Sequence, residues 1–122
     1  MSVLEKAQKL QQMMADNNSM DAFEELYHED VVVIEMPTGE KREGKAAQRA
    51  AIQEWFGMVT EFHGGGVGAI CSDEENQITT TETWMDITMK EGGRMKMSEV
   101  AVQQWKDGQI IEEKFYYHMP GQ

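Results

Sequence analysis

The stretch that decides the fold is Gln77–His118, QITTTETWMDITMKEGGRMKMSEVAVQQWKDGQIIEEKFYYH. It holds three segments rich in Thr, Val, Ile, Met and aromatic residues, a composition that is typical of β-strands. Glu91-Gly92-Gly93 separates the first two segments, and Asp107-Gly108, a strong hairpin signal, separates the last two. The sequence therefore predicts an antiparallel meander of three strands (77–90, 94–106 and 109–118) with one face to bury.

The first half of the chain is predicted to be mainly helical. Apolar residues recur at steps of three and four in three segments, which predicts helices over about 2–16, 19–28 and 44–58. The β-branched run Val31–Ile34 predicts a short strand, and Glu61–Cys71 a strand interrupted by glycines, which usually mark a bulge or a close backbone approach. Helices followed by a run of strands indicate an α+β fold.

Length and composition restrict the class of protein. The 122 residues are enough for a single domain, which we place at 1–122. A formal charge of −11, with 11 basic against 22 acidic residues, argues against a nucleic-acid partner. Cys71 is the only cysteine, and no apolar run is long enough to span a membrane, so we expect a cytoplasmic protein without a membrane partner.

The last hairpin predicts which side chains face inward. If Asp107-Gly108 is a two-residue turn, Lys106 faces Gln109 and the pairing continues in step along both strands. One face then carries Val100, Val102, Gln104, Ile111, Glu113, Phe115 and Tyr117. The other carries Glu99, Ala101, Gln103, Trp105, Ile110, Glu112, Lys114 and Tyr116. The first set is the more apolar, so we predict that it is the inner face.

Glu113 is the anomaly on that face. A buried carboxyl commonly gains a raised pKa or a hydrogen-bonded neighbour, and a raised pKa suits a general acid or base near neutral pH. The structural alternative is that Glu113 only bonds Gln104, Ser98 or Tyr117. Tyr117 could orient a carbonyl group, or it could be a core aromatic residue with a hydrated hydroxyl.

Two further positions stay open at this stage. His63 precedes the glycine cluster and is a candidate second base, with an ordinary strand histidine as the alternative. A two-residue turn at Gly92-Gly93 would put Thr83, Met85, Ile87 and Met89 inward, whereas a slip of one residue would bring in Trp84 and Asp86. No spacing resembles a metal site or a phosphate loop, so we expect no metal and no cofactor.

The segment Val100–Tyr117 resembles the closing hairpin of the SnoaL-like group in the nuclear transport factor 2-like superfamily. The resemblance extends over nearly the whole chain, including Glu43-Gly44-Lys45 before the third helix. It implies a cone-shaped half-barrel with a pocket between sheet and helices, and commonly a dimer through the outer sheet face. Many relatives end the last strand with an aspartate, where this chain has His118.

Two classes of function follow from the residues and the resemblance. The first is a cofactor-independent isomerase, cyclase or lyase that acts on a small hydrophobic carbonyl compound, with Glu113 and His63 as catalytic residues. The expected substrate-binding residues are Trp55, Gln104, Phe115 and Tyr117. The second is a non-catalytic module that binds a hydrophobic ligand or only dimerises. Trp105, Ile110 and Tyr116 on the predicted outer face favour a homodimer.

Overall fold

The computed structural model describes residues 1–118, which form three α-helices and six β-strands. The helices are α1 (Val3–Ala15), α2 (Ser19–Leu26) and α3 (Lys45–Met58). The strands are β1 (Tyr27–Glu35), β2 (Glu40–Glu43), β3 (Val59–Asp73), β4 (Ile78–Met89), β5 (Gly93–Lys106) and β6 (Gln109–Tyr117). The predicted α+β class is confirmed. The short strand β2 was not predicted.

The six strands form one curved sheet in the order β2-β1-β6-β5-β4-β3, and only β1 and β6 are parallel in this described sheet. α1 contacts β3 and β4, α2 contacts β1 and β6, and α3 contacts β1, β2 and β3. The core between helices and sheet is built from the predicted apolar stripes, with Val3, Ala7 and Leu10 of α1 buried against the sheet. No helix in residues 1–118 has the length and apolar character to cross a membrane.

The first helix is fixed at its N-terminus by two sets of hydrogen bonds. Ser2 and Glu5 form a capping box, in which each side chain accepts from the backbone N–H of the other residue. The carboxylate of Glu74, in the turn after β3, accepts from the backbone N–H groups of Val3 and Leu4. The start of α1 is thereby tied to the far end of the sheet.

The last hairpin turns where the sequence predicted, but its register changes after two pairs. Asp107 and Gly108 both have positive φ, as a tight two-residue turn requires, and Lys106 pairs with Gln109. Trp105 then pairs with Ile110, but Gln104 pairs with Glu112, so that Ile111 is the extra residue of a β-bulge.

The bulge corrects the predicted inner face. On the far side of the bulge, from Gln104 back toward the start of β5, odd-numbered residues of β5 lie opposite odd-numbered residues of β6. Gln103, for example, pairs with Glu113, and Ala101 with Phe115. The predicted inward direction of Glu113 is right, but Trp105 and Ile110, which we predicted on the outer face, are only 2% and 0% exposed. The prediction failed because a continuous ladder was assumed, and one inserted residue reverses every side chain beyond it.

The inward and outward side chains of β4 are those of the first of the two predicted registers, although the pairing of β4 with β5 differs from the prediction. Ile87 is buried and Met85 faces inward opposite Met97, whereas Trp84 lies on the outer face. The turn is longer than two residues, because Met89 pairs with Gly93. The two-residue turn at Gly92-Gly93 is therefore not formed, and Lys90, Glu91 and Gly92 separate the paired residues.

The glycine cluster of β3 makes room for a tryptophan on the neighbouring strand. Gly66 pairs with Trp84, and a Cβ atom at Gly66 would lie 2.7 Å from Nε1 of that indole. The pairing of β3 with β4 also shifts at three points along the strand. The predicted bulges and close approach are both present, and they let the sheet curve at this edge.

The register of the last hairpin can be tested with two neighbouring isoleucines. Ile110 is fully buried, so Ile110→Ala should lower the free energy of unfolding by about 2–5 kcal/mol in urea titrations. Ile111 is only partly buried, and the matched variant Ile111→Ala should cost clearly less. If Ile111→Ala lowered the free energy of unfolding more than Ile110→Ala, the result would contradict the bulge and support the continuous pairing predicted from the sequence.

Candidate functional site

A cavity of about 410 Å³ lies between α3 and the inner face of the sheet, and we call it the central cavity. The side chains that line it come from β1, β2, α3, β4, β5 and β6 and from the turn after β1. They are Glu35, Thr38, Glu40, Arg42, Gln48, Ala51, Ile52, Glu54, Trp55, Met58, Met85, Met97, Glu99, Phe115 and Tyr117. Much of the apolar face of α3 therefore borders this space.

Glu99 is a partly buried carboxyl group of the cavity wall, and it has no hydrogen-bond partner within residues 1–118. It lies on the inner face of β5, opposite Tyr117 on β6. Burial, followed by the nearby charges of Glu113 and Glu35, raises the pKa of Glu99 to about 7. A carboxyl group with such a pKa is partly protonated and partly ionised at neutral pH, so it can either give or accept a proton.

Glu35, in contrast, is held by two donors. Its Oε2 accepts from the guanidinium of Arg42 at 2.7 Å, and its Oε1 accepts from the hydroxyl of Tyr117 at 3.0 Å. Burial and this hydrogen bond raise the pKa of Tyr117 to about 12, so its hydroxyl remains a neutral donor at physiological pH.

Gln48 presents a free donor to the same cavity. Nε of Arg42 donates to its Oε1 at 2.6 Å, and because Arg42 can only donate, the amide oxygen of Gln48 must face it. The amide nitrogen then points away from Arg42, and no hydrogen-bond acceptor for it exists among the described residues. The side chain is 5% exposed and lines the cavity.

Glu113 lies deeper, in a chain of buried hydrogen bonds that crosses four strands. Tyr27 donates to one carboxylate oxygen at 2.5 Å, and the Gln103 amide donates to the other at 2.6 Å. The Gln103 oxygen accepts from the Thr79 hydroxyl at 2.8 Å, and Thr79 accepts from the indole N–H of Trp105 at 2.8 Å.

The direction of this chain is fixed by the carboxylate of Glu113. An ionised carboxylate only accepts, so Gln103 presents its N–H₂ group to Glu113 and its carbonyl oxygen to Thr79. The Thr79 hydroxyl donates to that oxygen and accepts from the indole N–H of Trp105. Burial raises the pKa of Glu113 to about 7, although the hydrogen bonds from Gln103 and Tyr27 lower it in part. Glu113 is 1% exposed and is not one of the residues that line the cavity.

Some of the predicted site residues line the central cavity and others lie outside it. Phe115, Tyr117 and Trp55 line the cavity, as expected for substrate-binding residues. Gln104 does not, because the bulge turns it outward, where its amide donates to the backbone oxygens of Asn76 and Gln77. His63 is exposed, and its ring bonds the Thr88 hydroxyl at 2.7 Å. It is therefore not placed to act in the cavity.

Sequence reasoning missed Glu99 and Gln48. Glu99 was placed on the outer face by the continuous register, and the signal that could have corrected it is the alternation of Ala101, Gln103 and Trp105, of which the first and last are apolar. Gln48 had no sequence signal, because its orientation depends on Arg42. In the part of the chain that the structure describes, no cluster of three or more His, Cys, Asp or Glu residues could hold a metal ion.

Comparison with known proteins identifies the family. A family model described as a SnoaL-like domain matches residues 1–117. This chain belongs to the SnoaL-like domain family. No protein of curated function matches this SnoaL-like domain in sequence.

Solved structures agree with the fold of this SnoaL-like domain. A candidate SnoaL-like polyketide cyclase from Mesorhizobium loti is 29% identical with a TM-score of 0.84, over 96% of this chain and 100% of that chain. An NTF2-like protein of unknown function from Burkholderia xenovorans is 18% identical with a TM-score of 0.74, over 98% and 85% of the two chains. A protein with a ketosteroid isomerase-like fold from Catenulispora acidiphila, in complex with trimethylamine, is 13% identical with a TM-score of 0.66, over 77% and 71%.

The two raised pKa values predict how the stability of this SnoaL-like domain depends on pH. Glu99 and Glu113 keep their protons to about pH 7 in the folded chain, whereas in the unfolded chain they release them near 4.5. The free energy of unfolding should therefore fall as pH rises from about 5 to about 7 and then level off. Glu99→Gln should remove part of this fall, at most about 3 kcal/mol, in urea titrations at several pH values.

Glu112→Gln is the matched control, because it removes a charge that lies close to the Lys114 ammonium and not on the cavity wall. This variant should keep the pH slope of the parent. An identical slope in the parent and in Glu99→Gln would contradict the raised pKa of Glu99.

Proposed function

We propose that this SnoaL-like domain is an enzyme that transfers a proton on a small, largely apolar carbonyl compound, without a cofactor, as in an isomerase, cyclase or lyase reaction. The observation that carries the proposal is Glu99. Its carboxyl group has a pKa of about 7, lines the cavity and has no hydrogen-bond partner within residues 1–118. Trp55, Phe115, Met58, Met85 and Met97 supply apolar surface around it.

The proton transfer can be assigned to two cavity residues. Ionised Glu99 removes a proton from the carbon next to the substrate carbonyl, and the electron pair of that C–H bond moves to the carbonyl oxygen to give an enolate. The amide N–H of Gln48 donates to this oxygen, where the negative charge develops. When the substrate has a β,γ carbon–carbon double bond the enolate is a dienolate, and protonated Glu99 returns the proton to its γ-carbon while the double bond shifts into conjugation with the carbonyl, which completes an isomerisation.

Glu113 has a different role in this proposal. Its carboxylate oxygens accept from Tyr27 and Gln103, and its charge is the largest electrostatic contribution to the raised pKa of Glu99. Glu113 therefore acts on the reaction only through the protonation of Glu99. The earlier hypothesis that Glu113 is itself the acid or base stays a prediction, and it requires a substrate to pass beyond the lining of the cavity.

The relatives support a small-molecule pocket. The relative at 29% identity is named as a candidate polyketide cyclase, and the ketosteroid isomerase-like protein holds trimethylamine. Both names fit a fold whose interior accepts small organic molecules. For this chain, a small hydrophobic molecule remains the proposed partner.

The proposal is tested by hydrogen exchange on candidate substrates. A panel of small methyl and cyclic ketones is incubated with the protein in deuterium oxide, and exchange of the protons next to the carbonyl is followed by NMR. Glu99→Gln should reduce the catalysed exchange by about 10²- to 10⁴-fold, because it removes the proton acceptor. Gln48→Leu, which removes the donor to the enolate oxygen, should reduce it by about 10²-fold or more.

The variant Glu113→Gln distinguishes the role of Glu113 from that of Glu99. Under the proposal it shifts the pH dependence of exchange but keeps catalysis. Loss of exchange in Glu113→Gln with a normal rate in Glu99→Gln would return the catalytic role to Glu113. Binding of ketones without any catalysed exchange would instead support the non-catalytic ligand-binding module.

We also propose a homodimer through the outer face of the sheet, in which the contact residues differ from those predicted from the sequence. Trp105 and Ile110 belong to the core, but Tyr116 and Trp84 are 43% and 39% exposed on the face that the helices do not cover. Light scattering at micromolar concentration should give about twice the 13.9 kDa chain mass. Tyr116→Glu should give the monomer mass, because it places a charge in the apolar contact.

Phe56→Glu serves as the control, since Phe56 is 50% exposed on α3 in the helical layer. It should leave the dimer intact. A parent protein that is monomeric under these conditions would contradict the proposal.

A further inference from the structure

The charges on the wall of the central cavity are strongly unequal. The lining contains four glutamates, Glu35, Glu40, Glu54 and Glu99, against one basic residue, Arg42. Neither lysine nor histidine occurs among the lining residues of the described chain. An anionic ligand would therefore meet a repulsive wall unless Arg42 were free to bind it.

The charge of Arg42 is already matched within the protein. Its Nε donates to Gln48 at 2.6 Å, one terminal nitrogen donates to Glu40 at 3.1 Å, and the other donates to Glu35 at 2.7 Å. The guanidinium has a side-chain exposure of only 16%, the same as that of its partner Glu35. Because two carboxylates already contact this one guanidinium, it offers little free positive charge to a carboxylate or phosphate of a ligand.

Glu99 is the partly buried carboxylate of the wall that no basic residue matches; Glu54, which also has no partner among residues 1–118, is exposed. Arg42 and Tyr117 already satisfy Glu35, whereas no basic side chain or hydrogen-bond donor of residues 1–118 contacts the carboxylate of Glu99. The wall also holds the aromatic rings of Trp55 and Phe115 and the thioethers of three methionines. Aromatic faces attract cations, and polarizable thioethers suit their alkyl groups.

Gln48 adds a second, independent requirement. Its amide nitrogen is an unpaired donor on a side chain that is 95% removed from solvent and lines the same cavity. The nitrogen atom itself is open to the cavity, because among the described residues Thr81 Oγ1 is the side-chain atom that is both buried and unpaired. An acceptor on the ligand can therefore replace water at this donor with a direct hydrogen bond. The ligand should therefore carry an oxygen acceptor as well as a positive charge.

We propose that the ligand of the central cavity is a small organic cation, an amino ketone or a related ammonium-bearing carbonyl compound. Its ammonium group lies against the carboxylate of Glu99, and its carbonyl oxygen accepts from Gln48. This inference rests on the proposed function and names its substrate class. The two roles of Glu99 agree, because a nearby ammonium keeps the carboxylate ionised and acidifies the C–H group between itself and the carbonyl.

A matched pair of ketones isolates the effect of charge. Acetonyltrimethylammonium and methyl neopentyl ketone have the same shape and the same carbonyl group, and differ by a positive nitrogen in place of a carbon. Their dissociation constants are measured by NMR titration at about pH 8, where Glu99 is ionised, and at about pH 5.5, where it is protonated. The cation should bind at least about tenfold more tightly than the neutral ketone at the higher pH.

The preference should depend on the charge of Glu99. It should disappear at the lower pH and in Glu99→Gln at either pH. The charge control Glu112→Gln should keep the preference, because Glu112 does not line the cavity. The other titratable groups close to Glu99 are Glu35 on β1 and Glu113 and Tyr117 on β6, and Glu54 of α3 and Arg42 of β2 line the same cavity. All of these groups are unchanged in both variants.

The outcomes separate this inference from the proposed function. Equal binding of the two ketones, or a preference for the cation that persists in Glu99→Gln, overturns the inference of a cationic ligand. The proton-transfer proposal is then decided only by the hydrogen-exchange experiment. Failure of both ketones to bind at millimolar concentration also overturns the cationic ligand. Loss of catalysed exchange with a retained cation preference would overturn the enzyme proposal and leave a cation-binding pocket.

Discussion

The structure depends on one chain of hydrogen bonds that runs from the indole of Trp105 to the carboxylate of Glu113. It joins β4, β5, β6 and the first residue of β1, and its direction is set by the ionised carboxylate of Glu113, which can only accept. A buried carboxyl group in the sheet interior would otherwise be costly. Here it receives two donors, so polar groups and apolar core coexist in the same layer of the fold.

The same chain explains why the cavity has its electrostatic character. Glu113 is held without a basic partner, and its charge extends to the cavity wall, where it acts on Glu99. Arg42, the basic residue of the wall, is used to fix Glu35 and Gln48. The fold thus keeps Glu99 in surroundings that disfavour a negative charge and raise its pKa to about 7.

The sequence was sufficient for the fold but not for the full site. The Asp107-Gly108 turn, the helical stripes and the glycine cluster all predicted elements that the structure contains, because each depends on local backbone chemistry. The inner face of β5 was predicted wrongly because the bulge at Ile111 is set by the burial of Trp105, Ile110 and Glu113 together, and the apolar residues Ala101 and Trp105 were a weaker signal than the opposite, more apolar set. Glu113 could be predicted as buried, whereas Glu99 and Gln48 required the register and the position of Arg42.

The parallel pairing of β1 with β6 has a consequence for the order in which the molecule assembles. Tyr27 and Glu113 are 86 residues apart in the chain, whereas each pairing within the β3–β6 meander joins strands that follow one another in the sequence. Pairings of long sequence separation carry the larger loop-closure cost, so the meander can form before β1 docks. Glu35 is on β1 and Tyr117 on β6, and the cavity between them exists only after that docking step. A ligand of this cavity would therefore bind only the fully assembled chain and would stabilise it by mass action.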